Sequence, residues 1–187
     1  MDILSKFRET NALLEGHFVL SSGLHSPKYL QCAKALQQTG DAIEFGKEIA
    51  KTYESYDFKT VASPAIGGLV IGFAVAQALG KKFIWTERQN GQMTLRRGFS
   101  LAEGERILVV EDVITTGGST RECITALSVN GGNVIAAASI IDRSNGVADV
   151  GVPRTSLASL DVPTYTPDEC PMCEQGSPVE KPGSRSV

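Results

Sequence analysis

The sequence of 187 residues predicts an α/β fold built on a mostly parallel sheet. From about residue 59 onward, short apolar runs of strand length alternate with longer segments of helical periodicity, as they do where helices connect parallel strands. The run from Val134 to Ile141 is almost entirely apolar, which is typical of a central strand with both faces buried. Glycines follow two of the helical segments, at Gly80 and Gly131, where helices commonly end. One domain with appended terminal pieces is therefore expected.

The individual elements are predicted from apolar spacing and turn residues. Helices are expected from Ile3 to Leu14, from Ile43 to Tyr53, from Leu69 to Leu79 and from Thr120 to Asn130. Strands are expected at His17 to Leu20, Lys28 to Cys32, 59 to 62, 82 to 86, Arg106 to Val110 and Val134 to Ile141. The first two strands flank the turn-forming Ser21-Ser22-Gly23, so they are predicted to pair as a small hairpin.

Two segments break this alternation. Residues 87 to 105 are polar, carry Arg88, Arg96 and Arg97, and are long for a connection in a compact domain. They are predicted to form a lid or binding loop. The residues after about 161 are rich in proline, glycine and charge, which favours an irregular tail.

The charge balance argues against nucleic acid as a partner. The chain has 21 acidic and 18 basic residues and a formal net charge of -3, so no overall positive field attracts a polyanion. No apolar run approaches the roughly 20 residues that a membrane-spanning helix needs. Charged residues between Asp2 and Glu9 occupy the place of a signal peptide's apolar region. A soluble, cytoplasmic protein with a small-molecule ligand is predicted.

Four cysteines are too few for a disulfide framework in a chain of this length, so reduced thiols are expected. Cys32 and Cys123 lie in apolar segments and are predicted to be buried. Cys170 and Cys173 have the spacing of a metal-binding pair, but no second CxxC or histidine pair follows them to complete four ligands. A turn in an irregular tail is therefore favoured over a zinc site.

The segment Ile107 to Thr120 combines a buried strand, two acids and a turn of small residues. The turn at 115 to 118, Thr-Thr-Gly-Gly, allows backbone amides to approach an anion closely. Ser119 stands three residues before Glu122, the spacing of a capping box, so a helix N-terminus with unpaired N–H groups is expected there. Neither a P-loop nor a GxGxxG pattern is present in this turn, which makes nucleoside triphosphates and dinucleotides weaker candidates. The segment predicts a site for a phosphorylated small molecule.

Glu111 and Asp112 stand directly before this turn. Carboxylates would repel a phosphate, but they accept hydrogen bonds from the vicinal hydroxyls of a ribose and favour a positively charged sugar carbon. The alternative is that the two acids simply start a solvated loop. The residues alone do not decide between these interpretations.

The same segment closely resembles the signature with which type I phosphoribosyltransferases bind phosphoribosyl pyrophosphate: four apolar residues, two acids and a Thr-Thr-Gly-Gly-Ser loop. The resemblance implies a doubly wound α/β sheet. It implies a donor site formed by Glu111, Asp112, Val113, Ile114, Thr115, Thr116, Gly117, Gly118 and Ser119. It also implies that Ala65, Ile66 and Gly67 belong to the pyrophosphate loop. The two glycines at 67 and 68, before a predicted helix, permit close backbone approach. A plain strand-to-helix turn is the alternative for that loop.

Further stretches resemble the orotate phosphoribosyltransferases within that family. They are Gly16 to Pro27, Ile141-Asp142-Arg143, and a C-terminal tail with Cys170-Pro171-Met172-Cys173 and Lys181 to Arg185. The resemblance implies one domain over residues 1–187, with a hood mainly at 1–37, a core at about 38–160 and the tail at about 161–187. It implies that orotate is bound by Thr115, Arg143, Tyr29 and Leu30. The guanidinium of Arg143 suits the carboxylate of orotate; a salt bridge to Asp142 or a plain surface position is the alternative.

The resemblance implies that Glu111, Asp112 and Arg88 are the catalytic residues, with Arg88 on a mobile loop that reaches a neighbouring subunit's site in a homodimer. Many family members carry lysines where this chain has Ser21, Gly67 and Gln89. Arg96 and Arg97 are candidates to supply the missing positive charge to phosphoribosyl pyrophosphate. Two solvated arginines are the alternative.

The implied reaction transfers phosphoribosyl from phosphoribosyl pyrophosphate to orotate, giving orotidine 5-phosphate and pyrophosphate in pyrimidine synthesis. Mg²⁺ is the implied cofactor, held mostly by substrate and water rather than by protein ligands. A transferase for a purine or for uracil would share the phosphate loop but would lack an arginine suited to a carboxylate. A non-enzymatic regulator that senses phosphoribosyl pyrophosphate is a second alternative, and the missing lysines keep it open.

Overall fold

The computed structural model describes residues 1–20 and 22–182, which form two compact units. Of the described residues, the first unit combines those of Met1–Ala35 with 161–182, and the second is Leu36–Leu160. Ser21 and the tail residues Gly183 to Arg185, to which some of the expectations above refer, lie outside the described residues. In chain order the elements are α1 (Ile3–Glu9), β1 (Leu13–Val19), β2 (His25–Leu30), α2 (Cys32–Leu36), α3 (Thr39–Tyr53), β3 (Thr60–Pro64), α4 (Gly68–Leu79), β4 (Lys82–Gln89), β5 (Gln92–Leu95), β6 (Glu105–Ile114), α5 (Gly118–Val129), β7 (Gly132–Asp142), β8 (Arg154–Ser159), a 3-10 turn (Pro167–Glu169) and α6 (Pro171–Glu174).

The second unit is built on a six-stranded sheet in the order β5-β4-β3-β6-β7-β8. β5 pairs antiparallel with β4, and every other neighbouring pair is parallel. The predicted mostly parallel sheet is therefore confirmed, and β3, β4, β6 and β7 correspond to the four predicted core strands. Among the described residues, none of the helices has both the length and the apolar character to span a bilayer.

Helices cover both faces of this sheet. α5 packs against one face through Cys123 and Leu127, which belong to the buried apolar cluster of that face. α4 lies on the opposite face, where Gly72 allows the helix to approach Ser63 and Phe83: a Cβ at Gly72 would lie only 2.7 Å from the Phe83 ring. Because helices lie on both faces, the sheet is doubly wound, as predicted.

The predicted long loop at residues 87 to 105 is partly wrong. β4 continues to Gln89 and turns through Asn90-Gly91 into β5, so a hairpin fills the first half of the segment. Both turn residues have positive φ, 51° and 82°, as a two-residue type I′ turn requires. Asn-Gly is the strongest short-range hairpin signal, but the polar residues around it lack the alternation that makes a strand recognisable.

The N-terminal helix is shorter than predicted. α1 ends at Glu9, and Leu13 and Leu14 begin β1 instead of continuing the helix. Between them, Asn11 adopts a positive φ of 54°, a left-handed conformation that stops a helix. The helical spacing of the apolar residues across this break is therefore accidental.

Candidate active site

The candidate site lies where β6 extends beyond its neighbour β3. β3 pairs with β6 only as far as Val109, whereas β6 continues beside β7 to Ile114. The chain after Pro64 turns away into α4, which leaves one side of β6 without a strand from Glu111 onward. A cavity of about 280 Å³ opens at this position. It lies at the carboxyl end of the strands, the usual ligand position in open α/β folds.

Eleven of the twelve residues predicted for the phosphate loop and the pyrophosphate loop line this one cavity. They are Ala65, Gly67, Glu111, Asp112, Val113, Ile114, Thr115, Thr116, Gly117, Gly118 and Ser119. Pro64 and Thr120, which were not predicted, also line the cavity. The side chain of Ile66 is 84% exposed and does not contribute to the lining.

The loop after β6 leads into an open helix N-terminus. Gly117 is the N-cap of α5 with a positive φ of 75°, and no described side chain caps this end by a hydrogen bond. The amides of the first turn are therefore available to an anion. The predicted capping box is wrong: Ser119 lies inside the helix, and Glu122 forms an ion pair with Arg88 instead. The helix starts earlier than predicted because Gly117 makes the turn into it.

Arg121 holds this loop in place from outside the cavity. Its Nη1 atom donates to the carbonyl oxygen of Thr116 at 2.9 Å and to that of Asp149, 28 residues away. The loop also packs closely on that segment, since a Cβ at Gly117 would lie 2.8 Å from Val150. Arg121 carries no signal in the sequence, because its partners are backbone carbonyl groups brought near only by the fold.

Glu111 and Asp112 are neighbours in β6 but differ in burial. Glu111 is only 6% exposed, whereas Asp112 is half-buried, so Glu111 does not start a solvated loop. The backbone N–H of Asp112 donates to Glu111 Oε1 at 3.2 Å, and that of Val113 donates to Asp112 Oδ1 at 2.8 Å. Burial, followed by the charge of Asp112, raises the pKa of Glu111 to about 9. Glu111 is therefore protonated near neutral pH until a cation or hydroxyl donors reach it.

The turn after β3 passes directly beside both carboxyl groups. A Cβ at Gly67 would lie 2.9 Å from Asp112 Oδ1, and a Cβ at Gly68 would lie 3.0 Å from Glu111 Oε1. The peptide bond between Ala65 and Ile66 in this turn is cis. Glycine at positions 67 and 68 therefore gives the turn the room to approach Glu111 and Asp112.

The three arginines of the predicted lid are not among the residues that line the cavity. Arg88 pairs with Glu122 at 2.5 Å and donates to the carbonyl oxygen of Gly91 at 2.8 Å. Arg96 and Arg97 each lie 3.0 Å from a carboxylate oxygen of Glu87. The hydrogen bond from Arg97 lowers the pKa of Glu87 below its usual value. The roles of Arg88, Arg96 and Arg97 in binding phosphoribosyl pyrophosphate stay predictions.

Arg143 follows β7 and lies beside the end of β6. Its backbone N–H donates to the carbonyl oxygen of Ile114 at 2.8 Å, which fixes the residue next to the phosphate loop. Asp142 forms its ion pair with Arg154 at 3.1 Å and accepts hydrogen bonds from the backbone of Ser144. Tyr29 and Leu30 lie in β2 of the first unit, and their predicted role stays a prediction.

Known proteins resemble this chain over its whole length. A family model, the phosphoribosyl transferase domain, matches residues 34–156. The orotate phosphoribosyltransferases of Thermotoga maritima and Desulforamulus reducens are 50% and 47% identical; each alignment covers 100% of this chain and 98% or 97% of the relative. The crystal structure of orotate phosphoribosyltransferase from Aeropyrum pernix is 28% identical, with a TM-score of 0.71 over 86% of this chain and 94% of that one.

The raised pKa of Glu111 predicts how the stability of the ligand-free protein depends on pH. The folded protein keeps a proton that the unfolded chain releases near the ordinary pKa of 4.5, so the free energy of unfolding decreases as the pH rises from there to about 9. Glu111→Gln has no such proton, and we expect a weaker pH dependence over this range. Urea unfolding of both proteins without ligand, at about pH 5, 7 and 9, measures the difference. Identical pH dependence in the two proteins would contradict this account of Glu111.

Proposed function

Since this chain belongs to the orotate phosphoribosyltransferases, we propose that the cavity at the end of β6 binds phosphoribosyl pyrophosphate. The enzyme transfers the phosphoribosyl group to orotate and forms orotidine 5-phosphate and pyrophosphate in pyrimidine biosynthesis. This assignment replaces the purine, uracil and regulator alternatives. The main support for the proposed site is that one cavity combines an uncapped helix N-terminus with two adjacent carboxyl groups. The cytoplasmic location stays a prediction from the sequence.

The 5-phosphate of the donor binds at the N-terminus of α5. The turn from Thr115 to Gly118 and the first helical amides supply N–H donors and the positive end of the helix dipole. Arg121 contributes by holding the carbonyl group of Thr116, which keeps the turn in position. Gly117 and Gly118 have no side chains, which leaves room for the phosphate oxygens.

The ribose binds beside Glu111 and Asp112. Its hydroxyl groups donate to the carboxylate oxygens, and these hydrogen bonds favour the charged form of Glu111, which then releases its proton. Positive charge develops on ribose C1 as the bond to pyrophosphate breaks, and the two negative side chains stabilise that charge. Their contribution is larger in the transition state than in the ground state, which is the condition for catalysis.

The pyrophosphate lies towards the turn formed by Ala65, Ile66 and Gly67, next to Asp112. The carboxyl oxygens of Glu111 and Asp112 are hard donors of the kind that Mg²⁺ prefers, so the cavity fits a magnesium ion that enters with its substrate. Bound Mg²⁺ would neutralise negative charge on the leaving pyrophosphate. Arg96 and Arg97 belong to the same segment as Arg88. They add positive charge near the pyrophosphate when their ion pairs with Glu87 break.

Orotate lies on the side of the cavity formed by Thr115 and Arg143. Thr115 lines the cavity, and the backbone hydrogen bond between Arg143 and Ile114 places that arginine beside the same loop. A guanidinium can hold the carboxylate of orotate through two parallel hydrogen bonds, which lysine cannot do.

A homodimer completes the site. Ile66, Val70 and Phe73 recur at helical spacing and are exposed, so they form an apolar stripe at and before the start of α4 that a second copy would cover. Arg88 does not line the cavity of its own chain, and its side chain is partly exposed. We assign Arg88 to the cavity of the second copy, where it neutralises the leaving pyrophosphate.

Asp112→Asn tests the proposed charge on the ribose side. We expect turnover to fall by about 100-fold or more, because the amide keeps the shape but cannot stabilise a cation. The melting temperature should change little, since Asp112 is only half-buried. Orotate consumption with phosphoribosyl pyrophosphate and Mg²⁺ measures the effect, with uracil and adenine as alternative bases and the exposed Asp57→Asn as the control. Wild-type turnover in Asp112→Asn would exclude the assigned role.

Gly67→Ala tests whether the pyrophosphate turn must pass close to Asp112. The backbone at Gly67, with φ -54° and ψ -47°, accepts alanine, so the added Cβ acts only by displacing the Asp112 carboxylate. We expect a loss in kcat/KM for phosphoribosyl pyrophosphate of about 10- to 100-fold. Gly40→Ala is the matched control, because a Cβ there meets nothing within 4 Å. If both variants retain wild-type kinetics, the contact has no role in catalysis.

Mixing two inactive variants tests the shared site. Co-expressed Arg88→Ala and Asp112→Asn chains should recover about a quarter of wild-type activity, because half of the dimers are mixed and each mixed dimer has one intact site. Asp112→Asn mixed with Glu111→Gln should recover none, since these two residues line the same cavity of one chain. Failure of the first mixture to recover activity would place Arg88 in its own chain's site or outside catalysis.

A further inference from the structure

Four potential metal ligands meet in the first unit, and the transferase site uses none of them. They are His17 in β1, His25 at the start of β2, Cys170 before α6 and Cys173 within it. Their ligand atoms all lie within 4.8 Å of one another. No histidine pair follows the cysteines in the sequence, but two histidines precede them: His17 and Cys170 are 153 positions apart. The fold therefore completes the ligand set that the spacing of the cysteines alone left incomplete.

Three sulfur–nitrogen distances in the cluster are close to those of a tetrahedral zinc site. Cys170 Sγ and Cys173 Sγ lie 3.5 and 3.7 Å from His17 Nε2, and Cys173 Sγ lies 3.3 Å from His25 Nδ1. Zinc bonds of about 2.3 Å to sulfur and about 2.0–2.1 Å to nitrogen place a sulfur and a nitrogen roughly 3.6 Å apart in a tetrahedron. His17 Nε2 and His25 Nδ1 are 2.8 Å apart, against roughly 3.3 Å in that geometry, so the two rings would move apart slightly around a bound ion.

A hydrogen bond at His17 Nδ1 orients the ring so that its other nitrogen, Nε2, faces the cluster. Nδ1 lies 2.9 Å from the carbonyl oxygen of Ser177, which can only accept, so Nδ1 carries the proton and donates. In the neutral tautomer with the proton on Nδ1, Nε2 presents its lone pair to the two sulfur atoms and to His25. A carbonyl or carboxylate partner of this kind is what zinc-bound histidines have in known metal sites.

Backbone pairing brings the tail to both edges of the hairpin and places the cysteines between them. His25 and Tyr165 exchange two backbone hydrogen bonds of 2.8 and 2.9 Å on the β2 edge. On the β1 edge, Glu180 donates to the His17 carbonyl and accepts from Val19, both at 2.8 Å. His17, His25 and Cys170 are buried, and Cys173 is exposed. The arrangement is closed except at one sulfur.

We propose that His17 Nε2, His25 Nδ1, Cys170 Sγ and Cys173 Sγ bind one Zn²⁺ in a structural site that fastens the C-terminal tail to the β1–β2 hairpin. Two thiolates and two imidazoles are the ligand set and geometry that select zinc. Four protein ligands leave no open position, so the ion stabilises the fold and does not take part in the transfer reaction. Binding releases the protons of both thiols to solvent.

Metal analysis of the full chain tests the site. Protein expressed with zinc in the medium and purified without chelator should contain one zinc per chain by mass spectrometry. Cys173→Ser removes an exposed ligand with little disturbance of packing and should lose most of the zinc. Cys32→Ala removes a buried thiol of the same unit outside the cluster and should retain it. Cobalt added to metal-free wild-type protein should give the charge-transfer and d–d bands of a tetrahedral thiolate site.

Thermal unfolding with chelator provides a readout independent of transferase activity. A chelator should lower the melting temperature of wild type and of Cys32→Ala but not that of Cys173→Ser. Wild-type protein that takes up neither zinc nor cobalt while both thiols react freely would show a hydrogen-bonded cluster and overturn the proposal. A mass two hydrogens lower without reductant would show a Cys170–Cys173 disulfide and overturn it equally. The wild-type measurements stand even if Cys173→Ser fails to fold.

Discussion

The adjacent carboxyl groups of Glu111 and Asp112, at the end of the buried strand β6, are the feature on which the rest of the second unit's site depends. Burial and the neighbouring charge raise the pKa of Glu111 to about 9, so Glu111 is protonated near neutral pH in the ligand-free site. Gly67 and Gly68 bring a second turn against these groups, and the uncapped start of α5 faces the same cavity. A ligand with hydroxyl groups, a phosphate and a developing positive charge satisfies each of these features at once.

The parts of the fold that could be predicted are those in which burial determines the sequence. β3, β6 and β7 are central strands, so their residues are apolar on both faces and are recognisable without a structure. β5 and β8 lie at the two edges of the sheet and carry mixed, polar sequences. Edge strands bury less apolar side-chain surface than central strands, and their residues therefore resemble those of loops.

The errors at the site arise where a local rule competes with the ligand or with tertiary contacts. Ser119 and Glu122 have the spacing of a capping box, but a side chain bound to those amides would compete with the phosphate group that we propose there. A glycine N-cap leaves the amides open. The arginines at 88, 96 and 97 appear in the sequence as free positive charges. In the fold each has an acidic partner, which only the positions of Glu122 and Glu87 reveal.

The histidine–cysteine cluster shows why ligand spacing along the chain is an incomplete guide. His25 pairs with Val19 across the hairpin, and side chains alternate along a strand, so His17 becomes its diagonal neighbour on one face. The pairing register shifts between Glu15 and Phe18, which places His17 within an irregular stretch of β1. The separation of His17 and His25 along the chain therefore indicates a shared site only when the strand register is known. The two cysteines, in contrast, are held by a single turn, and for that reason they alone were visible as a candidate pair.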